Sequence, residues 1–204
     1  MGAVGLAGAF SFFSNKVLSC GEGGLLATSD DRVAELARRW RSHAMTSGTW
    51  DRHRGHATTY DVVDVGYNYR LDEPRAALLL SRLRGLDAAV ERRRELVRRY
   101  RSRLAGVDGI VVPYSDKAVA LSACYAMPVL VEDERVCDDV RARMLEQGVQ
   151  TSVLYPAAHE FTAYGGGPLP RSERIARAQI TLPLYPHLDE SAQDRVVDSL
   201  TEAL

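Results

Sequence analysis

The sequence predicts an α/β protein, and three observations lead to this prediction. Two short β-favouring runs, at residues 9–13 and 24–28, precede an amphipathic helical pattern. A much longer helical pattern follows over residues 72–104. The rest of the chain again alternates apolar strand-like runs with helical patterns. With 204 residues, the chain is long enough to bury a sizeable core.

The first part of the chain is expected to contain two strands and one helix. Residues 9–13 are aromatic, residues 24–28 are apolar, and the glycine-rich residues 21–24 supply a tight turn between them. Asp30 then offers an N-cap for a helix that is expected to end near His43. This order is typical of the end of an α/β sheet.

A stretch without sustained periodicity follows over residues 46–65, and it is rich in Gly, Thr, Arg and His. Its length indicates either contact with a polar ligand or partner subunit, or an ordinary solvated surface loop. The sequence leaves both open. His53 and His56 lie three residues apart in this stretch, but no cysteine or acidic residue is spaced to complete a metal site, so we expect no metal.

The longest predicted helix begins at Asp72, with Pro74 just inside its first turn, and it ends near Leu104. A bend is expected near Asp87. Beyond this helix we predict a smaller α/β part. Its predicted strands cover residues 110–112, 125–131, 149–155 and 180–184, and its predicted helices cover residues 135–147, 171–179 and 189–204.

Composition argues against several classes of partner. The net charge of −1 gives no support for a nucleic acid or an acidic membrane as a partner. The longest apolar runs are far too short to span a bilayer. The cysteines are odd in number and form no CxxC pair, which predicts a reduced, cytoplasmic protein. These cysteines are Cys20, Cys124 and Cys137.

Arginines cluster within the long predicted helix, at residues 92–94 and 98–99. Glu91 and Glu95 are interleaved with them at helical spacing. This pattern favours a solvated face with ion pairs along the helix, and a phosphate-binding patch is the alternative.

Lys16 is the most informative single residue, because it ends the apolar and aromatic run FSFFSNK. Burial disfavours the charged form of a lysine, and a partly neutral lysine can attack a carbonyl to form a Schiff base. From the spacing alone, a strand-end lysine that extends its charge to water is the commoner arrangement.

Three blocks of sequence together resemble a known family. The first is FSFFSNKVLSCGEGG at residues 10–24, and the second is GYNYRLDE at residues 66–73. The third is GVQTSV at residues 148–153, followed by Tyr155, Pro156 and His159. In this order, they are similar to the motifs of the DegT/DnrJ/EryC1/StrS family of pyridoxal-phosphate-dependent sugar aminotransferases. The third block departs from that pattern at Leu154, where the family usually has a histidine.

The resemblance implies part of a fold-type-I pyridoxal-phosphate-dependent transferase. Residues 1–71 would be the end of the large cofactor-binding domain with its active-site loop. Residues 72–105 would be a long linking helix, and residues 106–204 a small C-terminal α/β domain. Complete family members are longer, so we expect the chain to correspond to the C-terminal half of such an enzyme.

The resemblance also assigns cofactor-binding roles. Lys16 would hold the cofactor as a Schiff base and move the proton between the substrate carbon and the cofactor. Ser11 would donate to the cofactor phosphate, and Asn68 would reach the phosphate bound by the neighbouring subunit. From the residues alone, Ser11 also suits a small residue tolerated in a strand, and Asn68 also suits a turn.

Three further residues match positions near the substrate, namely Arg70, Tyr155 and His159. An extended chain places residues two apart on one side, so Asn68 and Arg70 are expected to face one ligand. A guanidinium and an amide suit a phosphate or a polar sugar. The alternatives are a surface salt bridge for Arg70 and a core or surface position for His159.

The function implied by the resemblance is transamination. The enzyme would move an amino group from an amino-acid donor, glutamate, onto a keto-sugar linked to a nucleotide, in amino-sugar, polysaccharide or secondary-metabolite biosynthesis. Lys16 favours this reaction over dehydration, for which one relative carries a histidine there. A cytoplasmic homodimer with shared active sites is also implied.

The alternative is a truncated, inactive chain that acts at most as a partner or structural chain. In the family, the acid that pairs with the pyridine nitrogen lies upstream of the lysine strand. We therefore expect the chain alone to bind the cofactor weakly.

Overall fold

The computed structural model describes residues 2, 4–47, 53–55 and 58–204. The chain divides into two compact units, Met1–Leu86 and Asp87–Leu204. Each unit combines helices with a short antiparallel sheet, so the predicted α/β class is confirmed. The proposed division into residues 1–71, 72–105 and 106–204 stays a prediction.

The first unit begins with a two-stranded sheet. Strand β1 (Gly8–Ser11) pairs with β2 (Gly24–Ala27), and Phe10 lies opposite Leu25. Helix α1 (Asp31–Trp40) follows, and the Asp30 side chain caps it by accepting a hydrogen bond from the backbone of Val33. These elements agree with the predicted strand–strand–helix order.

Two helices take the place of the single long helix that the pattern predicts. Helix α2 (Glu73–Leu83) is capped by Asp72, and helix α3 (Leu86–Arg103) follows almost at once. The break lies at Arg84 and Gly85, close to the bend expected near Asp87. Glycine disfavours a helix interior by about 1 kcal/mol relative to alanine, which explains an interruption at Gly85.

The second unit contains a three-stranded antiparallel sheet in the order β3–β4–β5. These strands are Ile110–Val111, Met127–Val131 and Gln179–Leu182. Around them lie helices α4 (Asp116–Leu121), α5 (Cys137–Glu146), α6 (Pro170–Ala178) and α7 (Glu190–Ala203), with short 3₁₀ turns at Glu134–Val136 and Ala158–Glu160.

One predicted strand is wrong. Residues 149–155 form only an isolated bridge, in which Ser152 exchanges two backbone hydrogen bonds with Thr181 of β5. Pro183 follows on the β5 side and has no N–H to extend the ladder. Helix α4 was not predicted, although Ser115 caps it by accepting from the backbone of Ala118.

The two units differ in how many of their apolar side chains are buried. In the second unit, α3, α5 and α7 pack on β4 and β5 in one apolar core that includes Leu96, Tyr100, Val129, Met144, Ile180 and Leu200. In the described part of the first unit, the buried residues are Phe12, Ser19, Cys20 and Ala44. Large apolar side chains there, such as Phe10, Leu25 and Leu26, remain exposed.

The arginines of α3 do more than line a solvated face. Predicted ion pairs are present, for example between Arg98 and Glu91. Arg93, however, donates to the carbonyl oxygen of Leu184 at 3.0 Å, and Arg92 donates to that of Leu188 at 3.1 Å. Tyr100 donates its hydroxyl to Pro183 in the same segment. These side chains therefore fasten the chain that leaves β5, and this use argues against a phosphate-binding patch.

Candidate functional site

The segment after β1 is anchored by the buried ring of Phe12. The backbone N–H of Phe12 donates to Gly23, and its carbonyl accepts from Cys20, both at 2.9 Å. These two bonds close residues 12–23 into a loop with a fixed base.

Ser11 and Lys16 lie on either side of one tight turn at the start of this loop. The backbone N–H of Phe13 donates to Ser11 Oγ at 3.3 Å, and the carbonyl of Phe13 accepts from the Lys16 N–H at 2.9 Å. Ser11 is exposed and Lys16 is half-buried. Lys16 thus lies between the two arrangements that its sequence context allows, neither in a deep core nor fully in water.

The glycines of the first block allow the loop to approach the second block closely. Gly21 has a φ of 94°, in the left-handed region that favours glycine. A Cβ placed on Gly23 would lie 3.1 Å from Cys20 Sγ and 3.1 Å from Leu71 Cδ1. The Gly-Glu-Gly-Gly turn therefore packs directly against the end of the GYNYRLDE segment.

The second block forms an extended strip beside the end of α1. The backbone N–H of Tyr67 donates to the Trp40 carbonyl at 2.7 Å, and the backbone N–H of Tyr69 donates to the Arg41 carbonyl at 2.8 Å. The backbone N–H of His43 donates in turn to the Tyr67 carbonyl at 2.9 Å. The rings of Tyr67 and Tyr69 stack with centroids 5.0 Å apart, which is the alternation expected of an extended chain.

Asn68 and Arg70 lie two residues apart in this strip, and their expected placement toward one ligand stays a prediction. Asn68 is exposed. The guanidinium of Arg70 donates to Ser42 Oγ at 3.2 Å. This bond ties Arg70 to the segment after α1, and no acidic partner is recorded for Arg70 among the described ion pairs.

Residues 43–44, which lie against this strip, have an uncommon backbone conformation. His43 and Ala44 have φ values of 62° and 54°, and Ala44 is fully buried. Left-handed backbone at residues other than glycine stores roughly 1–3 kcal/mol each and is concentrated at functional sites. A Cβ on Gly66 would collide with the backbone of both residues. The sequence pattern contained no signal for this close fit.

An open groove of about 1220 Å³ lies in the first unit between the β1–β2 hairpin, α1 and the strip. Arg70 and Leu71 contribute to its wall. Among the described residues, Ser11, Lys16 and Asn68 do not line it. The groove is therefore not the space around the lysine.

The third block lies in the second unit. Tyr155 is 64% exposed, and the half-buried Leu154 precedes it. His159 is largely covered, with 13% of its side chain exposed, and its Nε2 lies 3.1 Å from Oε1 of Glu173 on α6. The structure thus gives His159 a carboxylate partner, which the sequence pattern did not predict.

Glu173 is the functional candidate that sequence reasoning missed. It also accepts from the backbone N–H of Leu169 at 2.7 Å and pairs with Arg177 at 3.2 Å. The hydrogen bond from His159, followed by that from Leu169, holds the pKa of Glu173 below its usual value. Glu173 is therefore ionised at neutral pH. Glu173 follows His159 by fourteen positions, a separation that forms no recognisable spacing.

The remaining sequence predictions concern the long loop, a metal site and a membrane span. His56 and residues 48–52 of the long loop lie outside the described residues. Across the parts of the chain that the structure describes, no group of three or more histidine, cysteine or acidic residues is placed to hold a metal ion. Within the same parts, no helix has both the length and the apolar character needed to cross a membrane.

Known proteins resemble this chain over its whole length. It is 34% identical over 209 residues to the dTDP-3-amino-3,4,6-trideoxy-alpha-D-glucose transaminase of Streptomyces venezuelae, covering 99% of this chain and 51% of that protein. It is 29% identical over 216 residues to the spore coat polysaccharide biosynthesis protein SpsC of Bacillus subtilis, covering 99% of this chain and 54% of that protein.

A solved structure shows the same fold. The crystal structure of the aminotransferase TlmJ from Streptoalloteichus hindustanus matches with a TM-score of 0.88 at 32% identity. The match covers 99% of this chain and 53% of that one. The chain thus spans about half the length of the relatives it matches. The sequence pattern of one family matches residues 1–201. This chain belongs to the DegT/DnrJ/EryC1/StrS aminotransferase family.

Proposed function

We propose that the protein serves in the transamination of a nucleotide-linked keto-sugar with an amino-acid donor, glutamate. The observation that carries this proposal is the pair Ser11 and Lys16 on either side of one tight turn, with the glycine turn packed behind it. Enzymes of this family use pyridoxal phosphate.

The donors on this turn fit that cofactor. An amine is the group that condenses with an aldehyde, and Lys16 supplies it on a half-buried stem. Ser11 Oγ accepts from the backbone of Phe13, and an accepting hydroxyl can still donate its own hydrogen to a phosphate oxygen. When bound, the cofactor supplies the electron sink for the reaction, so the protein's task is to orient it and to move protons.

For the sugar substrate, the proposal rests on Arg70 and Tyr155. The Arg70 guanidinium presents several donors in a fixed plane, which suits the phosphates of a nucleotide. Tyr155 offers an exposed ring and hydroxyl on the third block. The relatives include a protein named as a dTDP-amino-sugar transaminase and one named for polysaccharide biosynthesis, and these names support a sugar substrate.

We place the protein in the cytoplasm, because Cys20, Cys124 and Cys137 are all buried free thiols.

The alternative function is that of a chain without turnover that serves as a partner of another chain. The exposed apolar side chains of the first unit favour it, since such a surface needs a cover.

Borohydride labelling tests the role of Lys16. The chain has two lysines, Lys16 and the exposed Lys117 on α4, so the second is a built-in reference. After incubation with pyridoxal phosphate and reduction, we expect the pyridoxyl group predominantly on Lys16. Reduction traps short-lived adducts, so the ratio of the two labels remains informative even when binding is weak. Peptide mapping by mass spectrometry measures this ratio.

Two matched serine variants sharpen this result. Ser11→Ala is expected to lower the ratio of Lys16 to Lys117 labelling, because it removes the phosphate donor. Ser14→Ala, in the same exposed turn, is expected to leave the ratio unchanged. Equal labelling of both lysines in the unaltered chain contradicts the proposal.

We also propose a homodimer in which Asn68 completes the site of the neighbouring subunit. Its exposed position on the strip leaves the amide available to a second chain. Mixing a Lys16→Ala chain with an Asn68→Ala chain is expected to restore activity, because one of the two sites in each mixed dimer is then intact. Transamination rates of the single and mixed proteins measure this. Mixed dimers that form but stay inactive would argue against sharing.

A further inference from the structure

The third block is carried by a loop with little regular structure. Residues 155–169 contain one 3₁₀ turn, Ala158–Glu160, and most of their side chains are exposed. His159 is one of the few covered side chains of this loop. Something outside the loop must therefore hold it, because exposed loops without packing open readily.

Glu173 on α6 makes contacts suited to this task. Its Oε1 accepts from His159 Nε2 at 3.1 Å and from the Leu169 N–H at 2.7 Å, and its Oε2 lies 3.2 Å from Arg177. The first two contacts join the middle of the loop to its end. Hydrogen bonds to an ionised carboxylate are roughly twice as strong as neutral ones.

Arg177 supports the same arrangement one helical turn later. Besides Glu173, it lies 3.5 Å from Glu160 in the loop and 3.5 Å from Glu134 in the turn after β4. Helix α6 thus holds the loop through two residues on one face. The carboxylates around Arg177 also fix the position from which it pairs with Glu173.

The His159 ring is enclosed from the loop side as well. The Gly166 N–H donates to the His159 carbonyl at 3.1 Å, and a Cβ on Gly166 would lie 2.8 Å from His159 Cβ. The Nε2 of His159 is thus engaged by Glu173, and its stem lies against Gly166.

We propose that Glu173 is a positioning residue that holds residues 155–169 in place through His159 and Leu169. In this arrangement His159 serves as the contact between the loop and Glu173. Tyr155 is the residue that the loop presents to the sugar substrate. This inference rests on the proposed function for the role of Tyr155, but the hold on the loop is tested without any activity measurement.

Hydrogen–deuterium exchange of the full chain tests the hold directly. In Glu173→Ala, we expect the amides of residues 158–169 to exchange about tenfold faster, because three contacts on the loop and α6 are lost together. Glu173→Gln keeps a hydrogen-bond acceptor without the charge, so the increase in exchange rate should be smaller in this variant. Glu146→Ala, which removes an exposed glutamate at the end of α5, is the control and should change nothing.

Two further readouts separate positioning from general stability and from ligand binding. The amides of β4 and β5 and the melting temperature should match those of the Glu146→Ala control. His159→Ala should loosen residues 158–169 as Glu173→Ala does. In activity measurements, Glu173→Ala should raise KM for the sugar more than it lowers kcat.

Unchanged exchange of residues 158–169 in both Glu173→Ala and His159→Ala would overturn the inference. So would a His159→Ala variant that loses sugar affinity while its loop stays protected, since His159 would then be a ligand. Failure of Lys16 labelling is a different result, because it removes the proposed function and leaves the exchange of the loop unaffected.

Discussion

Gly66→Ala is expected to displace the strip that carries Asn68 and Arg70. A Cβ at residue 66 would lie 2.8 Å from His43 Cα and closer still to other backbone atoms of His43 and Ala44. Backbone cannot rotate aside as a side chain can, so the two segments must separate. We expect the free energy of unfolding to fall by about 3 kcal/mol, which is the upper end of the usual cost of overpacking.

Tryptophan fluorescence reports this change locally, because both tryptophans belong to the first unit. Trp40 accepts the backbone bond from Tyr67, and its indole donates to Asp64 at 2.9 Å. Its emission should therefore respond when the strip moves, and unfolding in urea should begin at lower concentration. Faster hydrogen exchange at residues 40–45 and 63–69 would locate the disturbance.

Gly5→Ala is the matched control, because a Cβ there would meet no atom within 4 Å. It should leave the fluorescence and the unfolding transition close to those of the unaltered chain. If Gly66→Ala is equally neutral, the close approach of the strip to residues 43–44 is not part of the folded protein.

The elements that were predicted well are those with a local cause. Asp30 and Asp72 begin their helices because short acidic side chains accept from backbone N–H groups three residues on, and this pattern is visible in sequence. The β1–β2 hairpin is likewise marked by its aromatic and apolar runs and by the glycines of residues 21–24.

Two of the failures arise where distant segments decide the outcome. Residues 149–155 have the composition of a strand, but their pairing depends on Pro183, thirty residues or so further along the chain. The arginines of α3 were expected to be solvated, and their carbonyl partners at residues 184–188 are also remote. Helix periodicity alone cannot indicate such partners.

The site shows the same division. Ser11 and Lys16 belong to one local motif around a single turn, so the sequence was sufficient to nominate both. The partner of His159 was not nominated, because Glu173 reaches it only after the loop folds back on α6. Motif reasoning thus nominated His159 but missed Glu173, the residue that contacts it.

Leu200→Ala is expected to destabilise the second unit, which holds that loop and its support. Leu200 lies in α7 with no exposed surface, inside the core formed with α3, α5, β4 and β5. Removing its branched end leaves a cavity among closely packed neighbours. The expected loss is about 2–5 kcal/mol in the free energy of unfolding.

Leu145→Ala is the matched control, because this leucine lies in helix α5 of the same unit and is 61% exposed. Leucine and alanine have similar helix propensities, so this change should stay within about 0.5 kcal/mol. Both tryptophans lie in the first unit, so the measurement should follow hydrogen exchange of β4 and β5 in increasing urea. Equal effects of the two leucine changes would mean that α7 does not pack on this sheet.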